Sequence, residues 1–175
     1  MKKVGIIVGS LRKESINRKL AEVFIKIGHS KLDFSFIDIH NIPLFSEDLE
    51  TTSLPAIDVF RQKISESDLI LLMTPEYNRS ISGVLKNALD WASRPYGKSC
   101  LVGKEAVIAG ASIGSSGTLP AQVHLRSILP VLGMKQIRQS EVGIVWNESF
   151  LNNNGLPNDE RTIQFIQKFL EQLAQ

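Results

Sequence analysis

An open α/β fold, with one parallel sheet between two layers of helices, is what this sequence predicts, on three observations. Five short apolar runs alternate with five segments whose apolar residues recur every three or four positions, a pattern that requires crossover connections between parallel strands. The closed alternative, an eight-unit barrel, needs about 250 residues, and this chain has 175. Hydrophobic residues make up 43% and charged residues 22%, which fits a globule and neither a disordered chain nor a membrane protein. With no repeat and no linker, residues 1–175 read as a single domain.

The elements follow in order. Val4 to Val8 is a β-branched run closed by Gly9, as expected of a strand buried on both faces. Ile16, Leu20, Val23 and Ile27 form one stripe of a first helix, which Gly28 is expected to end. Phe34 to Ile39 reads as the second strand, followed by a polar loop from Pro43. After Pro55, Ile57, Phe60 and Ile64 predict a second helix. Leu69 to Met73 is the third strand, stopped at Pro75, and Leu85, Ala88, Leu89 and Ala92 mark the third helix. Ala106 to Ala109 is the fourth strand. Ala121, Leu125, Ile128 and Leu132 give the fourth helix, Ile137 to Ile144 contains the fifth strand, and Ile163, Ile166, Leu170 and Leu173 stripe a terminal helix.

Charge and cysteine content narrow the partners. Lys plus Arg number 20 against 18 for Asp plus Glu, too even a balance to indicate nucleic acid. The lone Cys100 has no partner for an internal disulfide, which suits a reducing compartment, and no His/Cys/carboxylate cluster has metal-ligand spacing. The opening apolar run is too short for a signal core or a membrane span, so a cytoplasmic chain without a membrane partner is expected.

In an open sheet, ligands bind beyond the carboxyl ends of the strands where the strand order reverses, so three loops matter. The first, Gly9-Ser-Leu-Arg-Lys-Glu-Ser-Ile-Asn17, joins a strand to a helix amino terminus. There, unpaired N–H groups together with Ser10, Arg12, Ser15 and Asn17 can cradle a phosphate monoester without metal. The competing reading is that Ser15 or Asn17 merely caps the helix. Only one glycine of the dinucleotide fingerprint is present, which disfavours Rossmann-type binding. The second loop contains Pro75, Glu76, Tyr77 and Asn78, which can meet the polar edge of a flat heterocycle or simply make a turn. In the third, Gly110-Ala-Ser-Ile-Gly-Ser-Ser-Gly117, small residues let backbone approach a ligand or form a flexible connector.

Two motifs mislead. Gly110-Ala-Ser112-Ile-Gly114 matches a nucleophile elbow, yet the only histidine after Ser112 is His124, with no acid in position to complete a triad. Gly97-Lys98-Ser99 resembles the end of a P-loop but follows a helix and precedes a strand, the reverse of the required context.

Taken together, the three loops resemble the NAD(P)H-dependent FMN reductase family, whose relatives reduce quinones, chromate and azo compounds. Its phosphate loop is similar to GSLRKESIN, its most specific signature to PEYNRSISGVLKNALDW, and its third segment to GASIGSSG followed by AQVHLRSIL. The resemblance implies a flavodoxin-like three-layer sandwich with a five-stranded parallel sheet in the order 2-1-3-4-5. It implies that Ser10, Arg12, Ser15 and Asn17 hold the FMN phosphate. Pro75, Glu76, Tyr77 and Asn78 would border the isoalloxazine ring, with Ser112, Gly114, Ser115 and Gly117 at its pyrimidine end. Ser82 stands where the family usually has Pro, and Thr118 and Pro120 where it has Gly and Arg. The implied reaction is ping-pong, with hydride passing from NAD(P)H to FMN and on to a small-molecule acceptor of quinone, flavin, azo or chromate type. The implied assembly is a homodimer or homotetramer through the third and fourth helices. The competing reading is a flavodoxin-type electron carrier that binds FMN but does not oxidise NAD(P)H.

Overall fold

A computed structural model describes residues 1–137 and 141–175. Strands β1 (Lys2–Val8), β2 (Leu32–Phe36), β3 (Leu69–Met73) and β4 (Glu105–Ser112) lie side by side in the order β2-β1-β3-β4, all parallel. The far edge is made of two short pieces on β4, β5 (Lys135–Gln136) and β6 (Val142–Val145). Helices α1 (Ile16–Gly28), α2 (Pro55–Glu66), α3 (Gly83–Ala92), α4 (Leu119–Ile128) and α5 (Glu160–Leu173) complete the chain.

Successive strand side chains point to opposite faces, so continuous apolar runs build two cores at once. Val4, Ile6 and Val8 of β1 and Leu69, Leu71 and Met73 of β3 pack on one face. They meet Leu20 and Phe24 of α1 and Ile166, Phe169 and Leu170 of α5. Ile7, Ile70 and Leu72 point the other way, against Phe60 and Ile64 of α2, Leu85 and Leu89 of α3, and Leu125 of α4. Two helices therefore cover one face and three the other, in the flavodoxin-like order.

Four expectations shift. β2 begins at Leu32, opposite Lys2, and its ladder stops at Phe36, while Ile37 and Ile39 are buried in the core of the α2 face. Gly28 is the last residue of α1 without adopting positive φ. Its value is space: a Cβ there would meet Leu170 Cδ1 and Phe34 Cε2, each at 3.0 Å. α4 ends at Ile128, with Pro130 just beyond, because proline has no N–H for a continuing turn. The fifth strand starts earlier than expected, at Lys135, and resumes at Val142, and the 138–140 part of that expectation lies outside the described residues.

Helix α5 is held at its start by Asp159, whose carboxylate accepts from the Thr162 hydroxyl (2.8 Å) and from the backbone N–H groups of Thr162 and Arg161. The Thr162 hydrogen bond is the main reason that the Asp159 pKa lies below its ordinary value. Glu171 is lowered in the same direction by Lys31 at 2.8 Å. For a depressed carboxylate the stabilisation is present above the unfolded pKa, near pH 4, and is lost as pH falls through the folded value below it. The melting temperature is therefore expected to drop between about pH 5 and pH 2. Asp159→Asn, which keeps a capping oxygen but cannot titrate, should flatten that drop. Parallel melting-temperature profiles for the two proteins would contradict it.

Candidate active site

The carboxyl edge of the sheet is stepped. β1 and β3 end level, Val8 opposite Met73, which in turn faces Ala109 of β4. β4 continues three residues further to Ser112, supported on its outer side by β6. At about 3.3 Å per residue it rises roughly 10 Å above its neighbours. The order reverses between β1 and β3, where sheets of order 2-1-3-4-5 place their ligand. The first two loops thus form a floor, and the end of β4 forms a wall.

The first loop leaves its donors free. Ser10 is buried, and its oxygen accepts from the Arg12 N–H at 3.4 Å, yet among the described residues its own hydroxyl hydrogen meets no protein acceptor. The N–H groups of Lys13, Glu14 and Ile16 likewise have none among the described residues, and the exposed Arg12 guanidinium forms no ion pair there. Ser15 caps α1, accepting from the Arg18 N–H at 3.2 Å, which leaves its hydroxyl hydrogen available. Asn17 is used differently. Only 2% exposed, it donates from Nδ2 to the Ala111 carbonyl and accepts at Oδ1 from the Ala111 N–H, both at 2.9 Å. Its amide joins the first loop to the third rather than facing outward.

In the second loop, Tyr77 and Ser80 exchange backbone hydrogen bonds of 3.0 Å across Asn78 (φ 51°) and Arg79 (φ 64°), a tight turn with both central residues left-handed. Asn tolerates that region and Arg does not. Arg79→Gly is therefore expected to raise stability by about 1 kcal/mol, seen as a higher urea midpoint with unchanged slope. A lower midpoint would refute the strain. Glu76 turns its carboxylate to the start of α4, accepting from the Ala121 N–H at 3.3 Å, where a negative charge suits the helix dipole. Tyr77 is half exposed, and Pro75 packs against the position of Gly9. His124, which the sequence left without partners, lies with Nδ1 2.6 Å from Ser80 Oγ and ties α4 to this turn.

In the third loop, Ser112 Oγ accepts from the Gly114 N–H at 3.1 Å, and the Gly117 N–H donates to the Gly114 carbonyl at 3.0 Å. Gly117 has φ +58°, and a Cβ there would lie 2.8 Å from the Gly143 carbonyl carbon, so this corner closes only with glycine. Gly114 and Ser115 are exposed at the rim. Thr118, buried, accepts from Gln122 Nε2 at 3.0 Å, so its hydroxyl has a structural use inside the wall.

Ser82 escaped the sequence reading as a site residue. It caps α3 by accepting from the Leu85 N–H at 3.2 Å, and it donates to the Gly9 carbonyl at 2.6 Å. The capping half was legible, since a serine directly precedes an apolar periodic run. The bond to Gly9, 73 residues away, was not.

The groups present fit an FMN phosphate: a buried hydroxyl, helix-terminal N–H groups and a guanidinium, all without partners among the described residues, at a topological switch point. Comparison with known proteins agrees. A 2-hydroxy-1,4-benzoquinone reductase of Burkholderia sp is 42% identical over 172 residues, covering 98% of this chain and 94% of that protein. An NAD(P)H:quinone oxidoreductase of Solanum tuberosum is 36% identical over 175 residues, covering 96% and 89% respectively. FerB, a flavoenzyme NAD(P)H:(acceptor) oxidoreductase from Paracoccus denitrificans, superposes with a TM-score of 0.95 at 37% identity, over 99% of this chain and 96% of that one. A family model described as NADPH-dependent FMN reductase matches residues 2–146, and with that match and these relatives the chain belongs to the NADPH-dependent FMN reductase family of flavoenzyme oxidoreductases.

Proposed function

We propose that this protein carries electrons from NAD(P)H through FMN to a quinone or a similarly flat small acceptor in a ping-pong cycle. The observation that supports it most directly is the buried Ser10 hydroxyl, without a protein acceptor among the described residues, at the mouth of α1 beside the β1–β3 switch point. Bound FMN supplies the hydride and electron chemistry at its ring. The chain's own groups bind and orient. Ser10, Arg12 and the Ser15 hydroxyl hold the phosphate with the free N–H groups of the loop, while Asn17 acts through its hold on Ala111. Pro75 to Asn78 would border the ring edge, chiefly through backbone because the Glu76 carboxylate is occupied at α4. Ser112 and Gly114 to Gly117 would close the pyrimidine end, and the N–H groups of Ser115 and Ser116, free among the described residues, would be the donors available to negative charge on the reduced ring.

Quinone acceptors are supported by the names of the Burkholderia and Solanum relatives. Exposed Ile113 on the third loop and Val123 on α4 support a homodimer or homotetramer through this side. No helix among the described residues is long and apolar enough to cross a membrane. The lone Cys100 thiol, its pKa pushed up by burial, suits the reducing cytoplasm. The test is a visible spectrum of the FMN-loaded protein under argon. Prompt bleaching on adding NADPH, reversed by a quinone, is expected. Flavin bands that persist with both NADPH and NADH would sink the reductase reading and leave an electron carrier.

A further inference from the structure

The first loop is tied to each of the other two by a single buried side chain. Asn17 reaches the third loop and Ser82 the second. β3 ends at Met73, opposite Ala109, so β4 runs beyond its inner neighbour. Ala109 accepts from the Thr74 N–H on that inner side at 2.9 Å, and two residues on, Ala111 turns its N–H and C=O to the same side, where no strand remains. Both groups would be orphaned in a buried site. The Asn17 amide takes both at 2.9 Å and so stands in for one residue of a missing strand. Ala111 adjoins Ser112, which opens the third loop, and Asn17 lies in the first turn of α1, whose N–H groups face the proposed phosphate.

Ser82 acts at the other end of the same loop. Its hydroxyl, in a residue 4% exposed, donates to the Gly9 carbonyl at 2.6 Å and fixes the plane of the Gly9–Ser10 peptide. Gly9 has little freedom otherwise. Its N–H donates to Met73 O at 2.8 Å, and its Cα faces Leu85 and Pro75 so closely that a Cβ would lie 3.0 and 3.2 Å from them. The peptide that presents Ser10 is therefore set by the start of α3, which the second loop feeds.

We propose that Asn17 and Ser82 are positioning residues that lock the phosphate-holding loop onto the two loops flanking the ring, so that the phosphate is gripped fully only when both ties are intact. The inference rests on the FMN reading above. It concerns the phosphate term of flavin binding, not overall stability, and riboflavin, which has the same ring and no phosphate, separates the two.

The experiment measures dissociation constants of FMN and riboflavin by flavin fluorescence for the wild type, Ser82→Ala, Ser82→Thr and Asn17→Ala. Ser82→Ala removes the donor to Gly9. Asn17→Ala removes both partners of Ala111 without placing a new charge beside the phosphate. Each should weaken FMN binding by about tenfold or more while leaving riboflavin within about threefold, as expected when one charge-assisted contact is misaligned. Ser82→Thr, which retains the hydroxyl, should recover the preference for FMN. If both flavins weaken together in every folded variant, or the FMN preference is unchanged, the positioning role is wrong. Should one substituted chain fail to fold, the other decides. A wild-type protein that binds neither flavin would instead overturn the FMN reading itself.

Discussion

Arg12→Ala is expected to weaken FMN binding by about 10- to 100-fold at neutral pH, the loss of one charge-assisted hydrogen bond of roughly 1.5 to 3 kcal/mol. Among the described residues neither the guanidinium nor the neighbouring Lys13 forms an ion pair, whereas Lys19 is committed to Glu14 at 2.8 Å and Arg18 to Glu22 at 3.4 Å. Because Arg12 is exposed, its contribution is screened by salt. Wild-type affinity should fall as ionic strength rises from about 10 mM to 1 M, and the variant's should fall less steeply. Titrations at two salt concentrations provide the check. Equal affinities for wild type and variant at low salt would remove Arg12 from the phosphate site.

Gly110→Ala is expected to damage the fold itself. A Cβ on Gly110 would strike the Thr118 hydroxyl oxygen and the Thr74 carbonyl oxygen. Neither can retreat. Thr74 donates its N–H to Ala109 at 2.9 Å, and the Thr118 hydroxyl is held by Gln122 Nε2, which also donates to Val142 O at 2.8 Å. Thr74, Thr118 and Gln122 are all fully buried. The added methyl therefore pushes β4 from the start of α4 or breaks that buried polar chain, at about 3 kcal/mol. For a chain of this size the melting temperature should drop by roughly 6 to 12 °C. Gly110→Ala combined with Thr118→Gly should recover part of the loss. A melting temperature within about 2 °C of wild type for the single variant would show that the wall yields more easily than its packing indicates.

The elements were legible because burial imposes a local period. Leu69 to Met73 reads as a strand from five consecutive apolar residues and is one, and the stripe Leu85, Ala88, Leu89, Ala92 reads as a helix and is one. The edge strand was less legible. Lys135–Gln136 is polar and exposed, and pairs only because Glu105 and Ala106 of β4 lie alongside. Within the candidate site, strand-to-helix placement and residue types picked out three loops, which the structure sets at the carboxyl ends of β1, β3 and β4. What each side chain does there was not legible. Ser15 both caps a helix and faces the loop, Glu76 serves α4, and Asn17 serves β4.

By itself the sequence determined the alternation of strands and helices, the two-faced core and the three loops at the carboxyl edge, since each follows from spacings within a few residues. Only the tertiary structure decided that β4 overshoots β3, that Ala111 consequently needs a partner, and that Asn17 and Ser82 are turned inward while Ser10 and Arg12, among the described residues, keep donors free. The reason is that a polar side chain's role depends on which unpaired group lies within about 3 Å of it, and here those groups come from strands and loops far away in the chain.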